Sequence, residues 1–239
     1  MFSQRENPIV NMLFNIVMPV IILRNGSKWL DSIEVNALST YNDPLTFLIA
    51  ILFPSIYFLS DLKQKKDINF IAIIGFINVL LTGGIGIFGR ELGLSKNWFI
   101  IKEGSLPLII GLILWVISKY KKATFNSILL NNIIFKTDKI KNNLSGNQKS
   151  TLDSLSYNAG VYLIIGFFIS SIVQFILASQ IVSSNPGEPD FTKEVSTMTW
   201  VSYIAVLVPT IVIVGRGYLK LINGIENLTG LKKEDFLRA

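Results

Sequence analysis

The sequence predicts an all-α fold, a polytopic transmembrane bundle of about six helices with a cytoplasmic amphipathic segment between helices four and five. Half of the 239 residues are apolar and only 16% are charged, whereas soluble domains carry about 25% charged residues. Six apolar stretches approach the roughly 20 residues that cross a bilayer core of about 30 Å. Lysine and arginine concentrate in alternate connections between these stretches, as the positive-inside rule requires.

The six predicted spans form a single membrane domain, residues 1–239. They cover residues 8–23, 44–62, 68–88, 98–118, 159–182 and 198–221. The first span is the shortest and the most polar. In the fourth, Trp98 and Trp115 stand 17 residues apart, which is about 25 Å at helical rise. That separation is typical of rings at the two membrane interfaces.

The basic residues predict that both termini are cytoplasmic. With the N-terminus inside, fifteen lysines and arginines lie on the cytoplasmic side and five lie outside. The outer five are Arg24, Lys28, Arg90, Lys96 and Lys193. The excess inside sets the orientation. We also expect no cleaved signal peptide, because the N-terminus lacks the required pattern of charged, apolar and small residues.

The predicted cytoplasmic loop, residues 119–158, contains an unusual stretch at 123–144. Phe125, Ile128, Leu129, Ile133 and Ile140 are spaced loosely like one helical face. This spacing favours a helix lying on the inner lipid headgroups. The alternative is a connector that packs on its own loops.

The composition also limits the chemical reactions and ligand sites that the chain can support. The chain has no cysteine and no histidine, which removes disulfides and the commonest metal ligand and general base. No catalytic constellation is present, so we predict neither an enzyme nor a cofactor or metal site. The net charge of +6 indicates anionic headgroups at the basic loop, rather than nucleic acid, as partner of this bilayer protein. A homo-oligomer remains open.

Polar residues inside the spans predict a binding site. Lys102 and Glu103 follow Trp98 closely, and a charge in hydrocarbon costs roughly 2.5–3.5 kcal/mol. As sequence neighbours they diverge by about 100° around a helix, so they need not pair with each other. They either fix the helix end at the interface or, together with Asn15, form a substrate or proton site within the bundle.

Four prolines predict breaks in the helices: Pro19, Pro54, Pro107 and Pro209. Each removes a backbone donor and frees the carbonyl four residues earlier. For Pro19 that carbonyl belongs to Asn15, and for Pro107 it belongs to Glu103. This parallel between spans one and four suggests an inverted repeat of the kind that builds midplane sites.

Small residues end the third span, at Thr82, Gly83, Gly84 and Gly86. They indicate close helix packing or, alternatively, an unwound segment that lines a cavity. Three amides, Asn69, Asn78 and Gln174, are expected to hydrogen-bond between helices.

Segments along nearly the whole chain resemble bacterial membrane proteins of the VC0807 type. They are residues 7–11, 14–19, 69–70, 80–86, 98–103, 198–203 and 224–231. The glycine pair and the helix after it are also distantly similar to intracellular septation protein A, although this chain has one helix more than expected there. The resemblance implies a bacterial inner-membrane location and a link to division or envelope assembly. It transfers no functional residue.

Two functions follow as hypotheses. The first is a carrier or pore for a small solute, ion or lipid, with its polar site at Asn15, Lys102 and Glu103. The second is a non-catalytic scaffold in septation or envelope biogenesis that works through the basic cytoplasmic face. An enzyme acting on lipid is a weaker third.

Overall fold

The computed structural model describes residues 13–32, 42–64, 70–130 and 134–238, with side chains except at 15, 16, 61–64 and 70–75. A π-helical turn, Leu13–Val17, precedes the first α-helix. The α-helices are α1 Met18–Asp31, α2 Asn42–Gln64, α3 Phe70–Phe88, α4 Lys96–Tyr120, α5 Lys122–Leu129, α6 Thr137–Asn142, α7 Gly146–Ile181, α8 Phe191–Thr229 and α9 Lys233–Phe236. The described part of the chain consists of helices and their connections and has no strand apart from an isolated β-bridge between Phe135 and Leu237.

Four of these helices are long and apolar enough to cross a membrane: Asn42–Ser60 in α2, and the whole of α4, α7 and α8. They correspond to predicted spans two, four, five and six. The first span falls on the π turn and α1, which has only 14 residues. In the third, the segment with described side chains is Phe76–Phe88, a shorter apolar helix. The structure therefore supports an all-helical membrane protein, and the count of six spans stays a prediction.

Among the described residues, the chain divides into two compact units. Unit 1 comprises Met1–Gly104 and Gln174–Ile204, and unit 2 comprises Ser105–Val173 and Ala205–Ala239. Apolar residues from α1, α2, α4, α7 and α8 form the core of unit 1. At its centre the ring of Phe191 lies 5.8 Å from both Phe47 and Phe99, measured between centroids. Aromatic contacts of this kind stabilise helix packing beyond the area they bury.

Unit 2 contains a small folded region that we call the connector lobe: α5, α6, residues 134–136 and residues 233–238. Backbone hydrogen bonds close it, because Lys136 N–H donates to the Phe236 carbonyl at 2.7 Å and Arg238 N–H donates to the Ile134 carbonyl at 2.8 Å. Phe135 and Phe236 are fully buried. The ring of Phe135 stacks on Tyr218 of α8, with centroids 6.4 Å apart.

For the described residues 123–130 and 134–144, the connector lobe corrects the prediction of a helix on the headgroups; Ile133 lies outside the described residues. Phe125, Leu129 and Ile140 are buried, and Phe125 lies directly against Gly160 of α7. Since these apolar side chains pack on protein, they cannot also face lipid. The alternative interpretation, a connector packed on its own surroundings, describes the segment better. The predicted loop 119–158 is also largely helical, because α7 begins at Gly146.

The predicted helix breaks are absent at three of the four prolines. Pro54, Pro107 and Pro209 lie inside α2, α4 and α8, which continue through them. Membrane helices tolerate proline because neighbouring groups can satisfy the freed carbonyl. Pro19 lies at the start of α1, immediately after the π turn. A π turn is the one irregularity that coincides with a predicted break.

Candidate functional site

The buried charges of unit 1 lie in α4, a helix that is otherwise strongly apolar. Lys102 and Glu103 stand in its second turn, where α4 faces α3 and the core. Their side chains are 8% and 12% exposed. In the same turns Trp98 and Ile101 are more than half exposed, whereas Phe99 and Ile100 are buried beside the charges. The charged residues of this helix therefore lie inward, as expected of charges that serve a purpose in a membrane.

The ammonium group of Lys102 has three hydrogen-bond acceptors. It donates to Asn78 Oδ1 at 2.9 Å, to Thr82 Oγ1 at 2.7 Å and to Glu103 Oε1 at 2.5 Å. A lysine ammonium carries three donors, and each of these three contacts, all to described residues, can take one of them. Asn78 and Thr82 stand four residues apart on α3 and therefore share one helix face. We call this group of four side chains the Lys102 cluster.

Lys102 pairs with Glu103, a contact that the sequence neither required nor excluded. Neighbouring side chains diverge on a helix, but the lysine stem is long enough to bring Nζ back to the adjacent carboxylate. The ammonium of Lys102 lies between α3 and α4. Both charges are thus largely buried among protein side chains, and their role in a binding site stays a prediction.

An aromatic ring lies beside the Lys102 cluster, and a second one lies close by. Nζ of Lys102 lies 4.9 Å from the centroid of the Phe99 ring, within the range of a cation–π interaction. Phe99 is itself part of the unit 1 core. One residue beyond Glu103, a Cβ on Gly104 would stand 2.9 Å from the side chain of Phe175 in α7. The charge pair consequently lies against hydrophobic walls, where the local dielectric constant is low and electrostatic interactions are strong.

The glycines of α3 serve close packing at two positions. A Cβ on Gly83 would stand 2.6 Å from Ile51 Cδ1, and one on Gly86 would overlap the ring of Phe47. Gly84 has nothing within 4 Å and shares its helix face with the exposed Leu80 and Phe88. No unwound segment is present here, since α3 continues to Phe88.

The remaining predicted site residues are dispersed. Asn15 lies in the π turn, and its side chain is outside the described residues, as is Asn69. The expected interhelical hydrogen bonds are confirmed for Asn78, through Lys102, and for Gln174, which accepts from Ser202 Oγ at 3.1 Å. Pro107 follows Glu103 by one turn in a continuous helix.

Sequence analysis missed a second polar group in unit 1, which joins three helices. Oδ1 of Asp43 accepts hydrogen bonds from Ser27 Oγ at 2.6 Å and from Thr192 Oγ1 at 3.0 Å. Thr46 is fully buried beside them and donates to the Asn42 carbonyl at 2.7 Å. These bonds tie α1, α2 and α8 together. Hydroxyl residues are too common for the sequence alone to reveal such a junction.

The Lys102 cluster was partly visible in the sequence. Lys102 and Glu103 stand out as charges in an apolar span. Asn78 and Thr82 are four residues apart in the preceding span, and this spacing could have marked them as one polar helix face able to bind the charges. Phe99 gave no signal, because an aromatic residue near a membrane interface is ordinary. The cluster holds one cationic and one anionic group side by side in a largely buried position.

No family model, curated protein or solved structure matches the chain. The resemblance to VC0807-type proteins and to intracellular septation protein A therefore stays a prediction. A functional proposal for this protein therefore depends on the geometry of its own residues.

Proposed function

We propose that this protein is a small membrane carrier or pore whose polar site is the Lys102 cluster. The observation that carries the proposal is the buried lysine–glutamate pair in an apolar helix. Such a pair is expensive in a membrane, and replacing a buried pair by apolar residues is often neutral or stabilising. A need for stability alone therefore explains the pair poorly.

Partner exchange is the mechanism that the geometry favours. An anionic or zwitterionic solute could offer its own carboxylate or phosphate to Lys102 in place of Glu103, and the released Glu103 would take up a proton or the solute's cationic end. Asn78 and Thr82 would hold the ammonium of Lys102 in position during the exchange, because they bind it from the other helix. The solute would replace Glu103 as an acceptor, so Lys102 would keep the same number of acceptors during the exchange.

The decisive experiment measures solute-dependent thermal stabilisation and uptake into liposomes for a panel of small anions, cations and zwitterions. We expect a stabilising solute whose effect is lost in Glu103→Gln and Lys102→Ala. Ser202→Ala is the matched control, because it removes an interhelical hydrogen bond between neutral residues of the same unit. A solute that stabilises and enters liposomes equally well with all four proteins would contradict this site.

The second candidate function is a scaffold in septation or envelope biogenesis at a bacterial inner membrane. The observation that favours it is the connector lobe, a folded element that contains Lys122 and adjoins Lys119 and Lys121, all three of them exposed. We expect Lys→Gln replacement of these three to weaken binding of a partner protein or of anionic vesicles, while Lys102→Ala leaves that binding intact. The opposite result in a vesicle sedimentation assay would exclude the scaffold. Both functions assume cytoplasmic termini, which single-cysteine labelling would test.

A further inference from the structure

Arg216 of α8 is an exposed cation within an apolar segment. It lies five residues before the end of the predicted span 198–221, which is about 7.5 Å along a helix. Within the described part of the chain, its guanidinium group has no hydrogen bond and no ion pair. A charge at that depth is costly unless it reaches headgroups or finds a counter-ion.

Lys220 lies one turn further along α8 and on the same face. Its Nζ donates a hydrogen bond to the hydroxyl of Tyr162 in α7 at 2.8 Å and lies 5.1 Å from the centroid of the same ring. Lys220 is exposed, so the ammonium retains donors for a further partner. Arg216 is also close enough to act electrostatically on the Tyr162 hydroxyl.

The position of Tyr162 is fixed by packing. A Cβ on Gly217 would stand 2.8 Å from Tyr162 Cβ, so the ring base lies directly on the backbone of α8 between Arg216 and Lys220 in sequence. The two cations are four residues apart on α8 and hence neighbours on its surface. Three donors from two helices are thus presented together at one edge of unit 2.

We propose that Arg216, Lys220 and Tyr162 bind the phosphate group of an anionic phospholipid. The guanidinium group matches phosphate geometry with two parallel hydrogen bonds, and Lys220 adds a second charge. Phosphate chemistry is shared by free phosphate ions, but a lipid also brings acyl chains that can cover the exposed apolar residues next to the two cations on α8, Val208 and Val212. The site lies in unit 2 and uses none of the residues of the Lys102 cluster, so it stands independently of the proposed carrier function.

The test measures binding to the full-length chain in a neutral detergent, by lipid-dependent thermal shift and by native mass spectrometry. The probes are phosphatidylglycerol, phosphatidylcholine with the same acyl chains, and inorganic phosphate. We expect phosphatidylglycerol to bind most tightly. Arg216→Gln and Lys220→Gln should each weaken it about fivefold, the usual value of one basic residue at an anionic membrane surface.

Three further variants sharpen the test. Arg216→Lys keeps the charge but loses the paired hydrogen bonds, so its affinity should lie between wild type and Arg216→Gln. Tyr162→Phe should weaken binding less than Lys220→Gln, since it removes a neutral donor while Lys220→Gln removes a charge. Lys193→Gln is the matched control, because Lys193 is an exposed cation near the other end of α8.

Three results would overturn the proposal. The first is wild-type affinity for phosphatidylglycerol in the double variant Arg216→Gln, Lys220→Gln. The second is equal stabilisation by inorganic phosphate or by phosphatidylcholine, which would show that the anionic lipid is not the ligand. Neutralising Lys119, Lys121 and Lys122 should have a smaller effect than the double variant. A larger effect would indicate diffuse attraction instead of a defined site and would also reject the proposal.

Discussion

The ring of Phe47 in α2 occupies the space that a Cβ on Gly86 in α3 would need. Phe47 is almost fully buried and belongs to the core of unit 1, where it also contacts Phe191. A side chain at position 86 must therefore displace a large aromatic ring that is already held on its other side. This contact makes Gly86 the most constrained position of the glycine-rich end of α3.

Replacing Gly86 with alanine should destabilise the protein by about 1–3 kcal/mol, the usual cost of overpacking a core. Gly84→Ala is the matched control, because a Cβ there meets nothing within 4 Å. Thermal unfolding in detergent should show a lower Tm for Gly86→Ala and an unchanged or slightly higher one for Gly84→Ala. Equal Tm values for the two variants would mean that α2 and α3 do not pack as described.

Replacing Thr82 with valine should test the Lys102 cluster without changing the size of the side chain. The substitution removes one acceptor of a buried ammonium group, which costs about 1–3 kcal/mol when no other group replaces it. Thr199→Val is a suitable control, since Thr199 donates to the carbonyl of Val195 in its own helix. If both variants unfold at the same temperature, Thr82 does not bind Lys102 in solution.

Replacing Phe236 with alanine should open the connector lobe. Phe236 is fully buried, and losses of about 3–5 kcal/mol are typical for such truncations. Hydrogen exchange should then accelerate at the amides of Lys136 and Arg238, which close the lobe through backbone hydrogen bonds. Arg238→Ala should leave the exchange unchanged, because that side chain is exposed while the amide remains. Unchanged protection in Phe236→Ala would show that the tail is not what orders this lobe.

The carboxyl group of Glu188 should titrate below its ordinary pKa of 4.5, first because the Asn185 side chain donates to it and then because the Asn185 backbone N–H does. Both bonds favour the ionised form. A depressed pKa in the folded state contributes stability above pH 4.5 that is lost as pH falls through the lower, folded value. NMR titration should show the pKa of Glu188 rising towards 4.5 in Asn185→Ala. An identical titration in both proteins would refute the contact.

The fold class was predictable because the length of the apolar stretches and the position of the charged residues depend directly on whether a chain folds in lipid or in water. The bounds of α2 and α4 agree with spans 44–62 and 98–118 to within two residues, since charged or turn residues mark their ends. The start of α7 was not predictable in this way: residues 146–158 are polar, and their helix is stabilised through buried contacts such as Leu152 and Ser156. Tertiary packing therefore determines that residues 146–158 are helical.

The candidate site was predictable in its charges but not in its partners. Lys102 and Glu103 are conspicuous in an apolar span, whereas their pairing depends on the path of a flexible lysine stem that helix geometry alone does not fix. The contact of residues 134–136 with the tail joins parts of the chain about one hundred positions apart, and no local pattern encodes such a pairing. The error over 123–144 has the same origin, because an apolar face looks alike whether it meets lipid or protein.

The bridge between Phe135 and Leu237 also determines when this part of the protein can fold during synthesis. When the ribosome has made residues 134–136, their partners at 236–238 are still about one hundred codons away, roughly 5–20 s of translation at ordinary rates. During that interval Phe135 has no strand partner, and the aromatic residues destined for the lobe are open to chaperones or to premature association. The nascent chain can complete this part of its fold only after Leu237 has left the exit tunnel.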